Sequence, residues 1–472
     1  MSQVGHHATA CKGCRRRGRK CDRTLPACLS CQRRGVECEG YITRWPGVAA
    51  RGKLAGKSIP VCEGSVKTSK PRPNRAKRGN ALVSTGSRDI IESELRHNSN
   101  DLHLNAMTSV ADDELDNLIK HYIQDLSSIF YLGTGPSDNP MFHYVLPLID
   151  TVPPIRYAIA ASASCHLAAR TSDKDLEKKS LYLRVHATHL LRKMLRDPCP
   201  ATDQSILASM LMLAQLDMCS GDCLEFETHL KAAVGLIRGQ NYDHAENRHY
   251  FEQRLAWLDM MASTTSAGLP NLSATEFKAA LGRCTNNGRR QWSYDVFPCP
   301  IDLFEILADI TMLSKTQLDA TSPSQETVEE AHNIKCRLAV WEWLGETSGP
   351  RKHMVEVWRL GIMAYLGRLF PYTNSSVAAD LTSQVLYHAR LIPPASSWSY
   401  SLLWPIFQIG VTLGNEALDE RAWVEKRLNV ALEATGCRHF SNALDTLRFV
   451  WDNDVQYDPL TAGMNGRTIM LA

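Results

Sequence analysis

Residues 11–38 read CKGCRRRGRKCDRTLPACLSCQRRGVEC. Six cysteines punctuate the stretch: Cys11, Cys14, Cys21, Cys28, Cys31 and Cys38. The spacing is C-x2-C-x6-C twice over, with six residues between the copies. In each copy the close pair can grip one metal ion from a tight turn. The third cysteine can return to the same ion after a short helical segment. Thiolate suits zinc, which takes four ligands in a tetrahedron. Two zinc ions need eight ligand positions, and six cysteines supply eight only if two sulfurs bridge. A disulfide framework would need an oxidising compartment, and the first residues, MSQVGHHATACKGC, lack the apolar core of a secretion signal. One mononuclear site would leave two cysteines over, and the repeat is not a usual iron–sulfur spacing. The expectation is a small two-helix domain at 7–41, organised by two zinc ions and too small to fold on an apolar core.

This segment resembles the DNA-binding domain of fungal binuclear zinc cluster transcription factors. All six ligand spacings match, and Pro26 sits in the inter-repeat loop where the family commonly has proline. The resemblance implies that Cys11 and Cys28 are the bridging sulfurs. It also implies a nuclear regulator, RNA polymerase II-directed and pathway-specific, that binds double-stranded DNA at a G/C-rich, CGG-like element. Between Cys14 and Cys21 lie Arg15, Arg16, Arg17, Gly18, Arg19 and Lys20, five of them basic. Arginine can bind guanine O6 and N7 with two hydrogen bonds in the major groove. Lys12, Arg23, Arg33 and Arg34 suit phosphates. One departure stands out. Relatives usually carry a basic pair at the positions of Arg17 and Gly18, the second reading the CGG triplet. Glycine brings no side chain and is expected to loosen the helix end. Base readout is therefore assigned to Arg17 with Arg19 or Lys20.

Charge divides the chain in the same way. Residues 1–80 hold 19 Lys and Arg against 4 Asp and Glu, a net of +15. Of the 53 basic and 50 acidic residues in the whole chain, that leaves 34 against 46, a net of −12. A basic arm of this density suits a polyanion. Residues 42–110 read as a basic, largely disordered linker, rich in Gly, Pro, Ser, Lys and Arg. Within it, Lys70, Arg72, Arg75, Lys77 and Arg78 form a run suited to nuclear import. The stretch 88–96 is too brief for a coiled coil, so the chain is expected to act as a monomer or to form a homodimer through its body.

From residue 111 to 472 the apolar residues recur at helical spacing, and alternation of the strand type is scarce. Helices are expected at about 113–131, 155–170, 178–196, 204–219, 225–239, 249–264, 301–317, 326–345, 353–369, 378–390, 401–414, 419–434 and 440–452. The fold class is thus a small zinc-organised domain plus a large all-α domain, joined by a basic linker. The strings NPMFHYVLPLID (139–150), MLMLAQLDMCSGDCLEFETHLKAAVGLI (210–237), VWRLGIMAYLGRL (357–369) and LLWPIFQIGVTLGNEALDER (402–421) resemble, in order, the helical regulatory region of one branch of the same family. That likeness implies regulation, dimerisation or contact with coactivators and the transcription machinery.

Other functions find little footing. The chain has no P-loop, H-E-x-x-H, G-x-S-x-G or Rossmann glycine run, so no enzyme and no catalytic residue is expected. Ser220-Gly221-Asp222 reads as a helix end and cap. No run of 18 apolar residues is present, so no membrane partner is expected. Tryptophans such as Trp257, Trp341, Trp343, Trp358, Trp404 and Trp451 read as core, and the remaining body cysteines as reduced small hydrophobes.

Overall fold

The computed structural model describes residues 11, 14, 16–24, 28–36, 38, 45–48, 58–61, 110–129, 131–132, 139–196, 203–238, 248–282, 285–286, 289–290, 298–317, 323–343, 349–373, 378–454 and 469–471. The chain divides into two compact units, Met1–Asn100 and Asp101–Ala472.

In the first unit Cys14 and Arg16 are helical, and a one-turn helix α1 covers Leu29–Gln32. Two strands follow, β1 (Trp45–Val48) and β2 (Ser58–Val61), paired antiparallel with Trp45 opposite Val61 and Val48 opposite Ser58. This short ladder lies within 42–110, the segment read as a basic, largely disordered linker. Gly, Pro and Lys around this short pair had masked its weak strand pattern. The 66–80 basic run, with Lys70, Arg72, Arg75, Lys77 and Arg78, and the 88–96 stretch lie outside the described residues.

The second unit is a helical body. Helix α2 (Asp112–His121) opens on Asp112, Asp113 and Glu114, which complement the helix dipole, and closes on Lys120 and His121. It runs on as a π turn over Tyr122–Leu126 rather than as the α-helix expected to 131. Another π turn spans Met141–Val145, and a 3-10 turn spans Leu146–Leu148. Helices α3 (Pro153–Thr171) and α4 (Lys174–Arg196) pack together as a hairpin, and α5 (Asp203–Ser220) packs against both. Helix α6 (Phe226–Arg238) buries Phe226, His229, Leu230, Ala233 and Val234, one face at helical spacing. Then come α7 (Arg248–Thr264), α8 (Ala274–Gly282) and a two-residue ladder of β3 (Thr285–Asn286) with β4 (Arg289–Arg290). The remaining helices are α9 (Ile301–Lys315), α10 (Gln325–Val340), α11 (Pro350–Leu369), α12 (Ala378–Arg390), α13 (Ser397–Tyr400), α14 (Leu403–Gly410), α15 (Leu418–Thr435) and α16 (His439–Asn453).

The expected helix at 401–414 is shorter: it runs over Leu403–Gly410 with Pro405 in its first turn, and the separate α13 precedes it, its Ser396 hydroxyl accepting from the Ser399 N–H. Helix α8 was not expected at all. It is set by a capping box in which Ser273 and Glu276 exchange hydrogen bonds, with Glu276 accepting from the Ser273 N–H at 2.8 Å.

Aromatic residues tie the centre of the body together. Trp358 stacks on Trp404 with centroids 5.4 Å apart, and Trp257 meets Trp358 edge-on at 5.7 Å. The Trp404 indole donates to Thr264 Oγ1, and the Trp451 indole donates to the Gly410 carbonyl. Trp257, Trp358, Trp404 and Trp451 are buried as expected, whereas Trp341 and Trp343 are only half-buried. Cys165, Cys219, Cys223, Cys299 and Cys437 are buried, but Cys336 is exposed on α10. Cys219 lies 3.6 Å from Cys437, so its sulfur neighbour comes from 218 residues away as well as from nearby Cys223. Helix α5 ends at Ser220, and Gly221 follows at φ +73°, the helix stop read from the sequence.

Candidate metal centre and nucleic-acid interface

The first unit is built as one design used twice, seventeen residues apart. The Cys11 sulfur accepts the Cys14 N–H at 3.3 Å, and the Cys28 sulfur accepts the Cys31 N–H at 3.3 Å. The Cys21 sulfur accepts the Cys11 N–H at 3.4 Å, and the Cys38 sulfur accepts the Cys28 N–H at 3.4 Å. Each short helical segment ends the same way. Arg19 N–H closes on the Cys14 carbonyl and Val36 N–H on the Cys31 carbonyl, across Gly18 at φ +63° and Gly35 at φ +62°. This six-to-one bond over a left-handed residue is the Schellman stop, for which glycine is the natural choice. Gly18 therefore ends the helix in a defined way. The expectation that it loosens the end is corrected, and the reason is the backbone geometry that Gly35 repeats.

The six sulfurs converge. Cys11, Cys14, Cys21 and Cys28 form one group within 4.8 Å, and Cys11, Cys28, Cys31 and Cys38 form another, so Cys11 and Cys28 belong to both. Cys11 and Cys28 lie 3.5 Å apart, Cys11 and Cys31 3.8 Å, and Cys14 and Cys28 3.8 Å. Four sulfurs placed tetrahedrally at the zinc–thiolate length of about 2.3 Å would be roughly 3.8 Å apart. Burial pushes the Cys11 thiol up to about 12 and drives Cys28 and Cys14 upward as well. Burial also acts on Cys21, but N–H groups of Cys11 and Arg23 outweigh it and hold that thiol low. Sulfurs this crowded need a strong local cation to become thiolates together. The donor set, spacing and sharing fit two zinc ions.

Asp22 and Thr24 clamp the two copies, a role the spacing alone did not reveal. Asp22 Oδ2 accepts the Ser30 N–H at 2.8 Å, and Thr24 Oγ1 accepts the Leu29 N–H at 3.0 Å. Hydrogen bonds from Thr24, Ser30 and Leu29 overcome the upward push of burial and lower the Asp22 pKa. The legible signal was an acidic residue just after the third cysteine with a hydroxyl two residues on.

Around this metal-binding core the cations face solvent. Arg16, Arg17, Arg19 and Lys20 are exposed, as are Arg23, Arg33 and Arg34. Arg15 and Lys12 lie outside the described residues. The repeat makes the asymmetry plain: beyond the glycine stop the first copy continues Arg19-Lys20, and the second continues Val36-Glu37. The first copy alone carries positive charge past its helix end.

No helix among the described residues is long and apolar enough to cross a membrane. A family model described as the fungal Zn(2)-Cys(6) binuclear cluster domain matches residues 9–45. Another, described as the fungal specific transcription factor domain, matches residues 117–459. Both describe transcription factor domains rather than enzymes. No curated protein and no solved structure matches the chain. With two sulfur groups sharing Cys11 and Cys28, and a helical body matched over most of its length, the chain belongs to the fungal Zn(2)-Cys(6) transcription factors, DNA-binding regulators of transcription that carry two zinc ions.

Proposed function

We propose that the chain is a nuclear, RNA polymerase II-directed and pathway-specific regulator that reads a G/C-rich, CGG-like element. In this reading Cys11 and Cys28 bridge two zinc ions, Cys14 and Cys21 complete one site, and Cys31 and Cys38 complete the other. The observation that carries it is the pair of overlapping sulfur groups beneath exposed Arg16, Arg17, Arg19 and Lys20. The zinc ions order the fold and take no part in reading bases. Arg17, in the turn just before Gly18, is assigned to guanine, with Arg19 or Lys20 beside it. Arg15 and Arg16 complete the basic face, and Arg23, Arg33 and Arg34 hold phosphates. The 66–80 run is assigned to nuclear import, and the helical body to contact with coactivators and to any dimerisation.

Selection of bound duplexes from a random pool, at fixed salt, tests this with zinc-loaded and chelator-stripped full-length chain. A short G/C-rich motif enriched only with zinc is the expected result. Equal enrichment without zinc, or none with it, overturns the reading.

A further inference from the structure

The helical body encloses a cavity of about 80 Å³ that opens toward solvent between α5, α7, α11, α14 and α16. Its wall is mostly apolar, with Trp257, Leu403 and Leu471 among the lining. Polar side chains break that wall: Gln215, Arg254, Trp358 and His439, together with the hydroxyls of Ser397, Tyr400 and Ser401.

Two of these carry a buried polar atom with no hydrogen-bond partner among the described residues, and Arg254 adds a positive charge. Trp358 is 1 % exposed, and its indole N–H has no acceptor. His439 is 3 % exposed and bonds the Met218 backbone through one ring nitrogen, leaving Nδ1 bare. Burial depresses the pKa of this ring to about 4, so it is neutral near pH 7 and Nδ1 accepts rather than donates. Arg254 is half-buried, and among the described residues no carboxylate pairs with it. Its electrostatic neighbours are Tyr122 and Cys219, both held neutral by environments that raise their pKa values. A buried indole donor and a buried imidazole acceptor are costly to leave unmet in one largely apolar chamber, and a half-buried guanidinium beside them favours an anion.

We propose that this cavity binds a small organic acid, a 2-hydroxycarboxylate in chemical class, with its carboxylate on Arg254. The carboxylate answers the guanidinium and can accept from the Trp358 N–H. An adjacent hydroxyl supplies the donor that His439 Nδ1 lacks. The enclosed volume suits about three or four non-hydrogen atoms, judged against the 150 Å³ chamber that holds benzene. That volume holds the α-carbon, its hydroxyl and part of the carboxylate, the rest of which lies toward the mouth on half-buried Arg254. Any further apolar substituent would lie toward the mouth. Because the walls come from helices far apart in sequence, an occupant would brace them against one another and raise the stability of the body by mass action.

The test uses the zinc-loaded full-length chain with three probes that share a three-carbon skeleton: lactate, propionate and propane-1,2-diol. Binding is read by thermal stabilisation and by quenching of tryptophan emission. Lactate is expected to stabilise most, propionate less, and the diol not at all. Arg254→Gln is expected to weaken lactate binding about ten- to hundredfold, the loss of one charge-assisted contact. No stabilisation by lactate or propionate in the wild-type chain overturns the proposal, since ordered water alone would then satisfy Trp358 and His439. Equal effects of all three probes also overturn it. The comparison among probes needs no variant, so it decides the matter even if Arg254→Gln folds poorly.

Discussion

At the scale of single residues, Gly18 and Arg17 define what the first copy can do. Gly18 sits at φ +63° with open space around its missing Cβ. A lysine there would meet no clash but would be forced into a left-handed backbone, at a cost of about 1 kcal/mol. Gly18→Lys is therefore expected to weaken zinc retention in a chelator competition by about fivefold, without restoring the readout that a helical lysine would give. If the lysine variant holds zinc as tightly as the parent, the glycine stop is not under strain control. Arg17→Ala is expected to relax sequence preference by about 1–3 kcal/mol, whereas Arg33→Ala should weaken all duplexes alike and reduce the salt slope by about one. Binding isotherms on specific and random duplexes at several salt concentrations separate the two. The gathering of the six cysteines was legible because metal spacing is a local pattern. The role of Gly18 was not, since its left-handed φ and the bond from Arg19 to Cys14 exist only in the folded turn.

At the scale of elements, helix crossings in the body set tight tolerances. A Cβ added to Gly361 of α11 would lie 2.4 Å from the Pro405 Cβ and 2.9 Å from its Cα, on α14. Neither atom can swing away, because proline is a ring fixed to its backbone. Gly361→Ala should cost about 1–3 kcal/mol through overpacking. Gly235, exposed on α6, meets nothing within 4 Å and has an ordinary helical backbone. Gly235→Ala should instead stabilise by about 0.5–1 kcal/mol. Thermal denaturation of the two variants should move in opposite directions, and movement in the same direction would refute the packing account. Most helices were visible in sequence from apolar periodicity. Those missed or misjudged had local chemistry that periodicity does not register: the Ser273–Glu276 box of α8, the π continuation of α2, and the turn that separates α13 from Leu403.

At the scale of the whole molecule, each unit has its own kind of core, sulfur in one and hydrocarbon in the other. Chelation is expected to abolish DNA binding while far-ultraviolet helical signal from the body persists. A parallel collapse of that signal would mean the body depends on the metal. Acid acts on the body instead. Burial pushes His166, His229 and His439 down to about 4, against about 6.5 in an unfolded chain. Between those values the unfolded chain takes up protons that the folded one refuses, so stability is full above about pH 6.5 and drains as pH falls toward 4. Asp217 works in the opposite sense: burial raises it to about 8 against the pull of Arg184, which favours the folded state as pH falls from about 8 to 4. Three imidazoles against one carboxyl leave a net loss. The urea midpoint should therefore fall between about pH 6.5 and 4.5, and a flat profile would show that the imidazoles titrate freely in the fold.

The amino-acid sequence by itself determined the zinc cluster, six cysteines in register, the basic arm and the helical character of the body. Each of these rests on residues close together in the chain, where spacing alone restricts the geometry. Only the tertiary structure decided which partners distant residues found. The Trp358–Trp404 stack, the Cys219–Cys437 contact and the meeting of Arg254 with the unpartnered Trp358 Nε1 and His439 Nδ1 around one cavity join segments with no shared local pattern. Periodicity says that a helix face is buried. Which face it meets follows from packing the whole body at once.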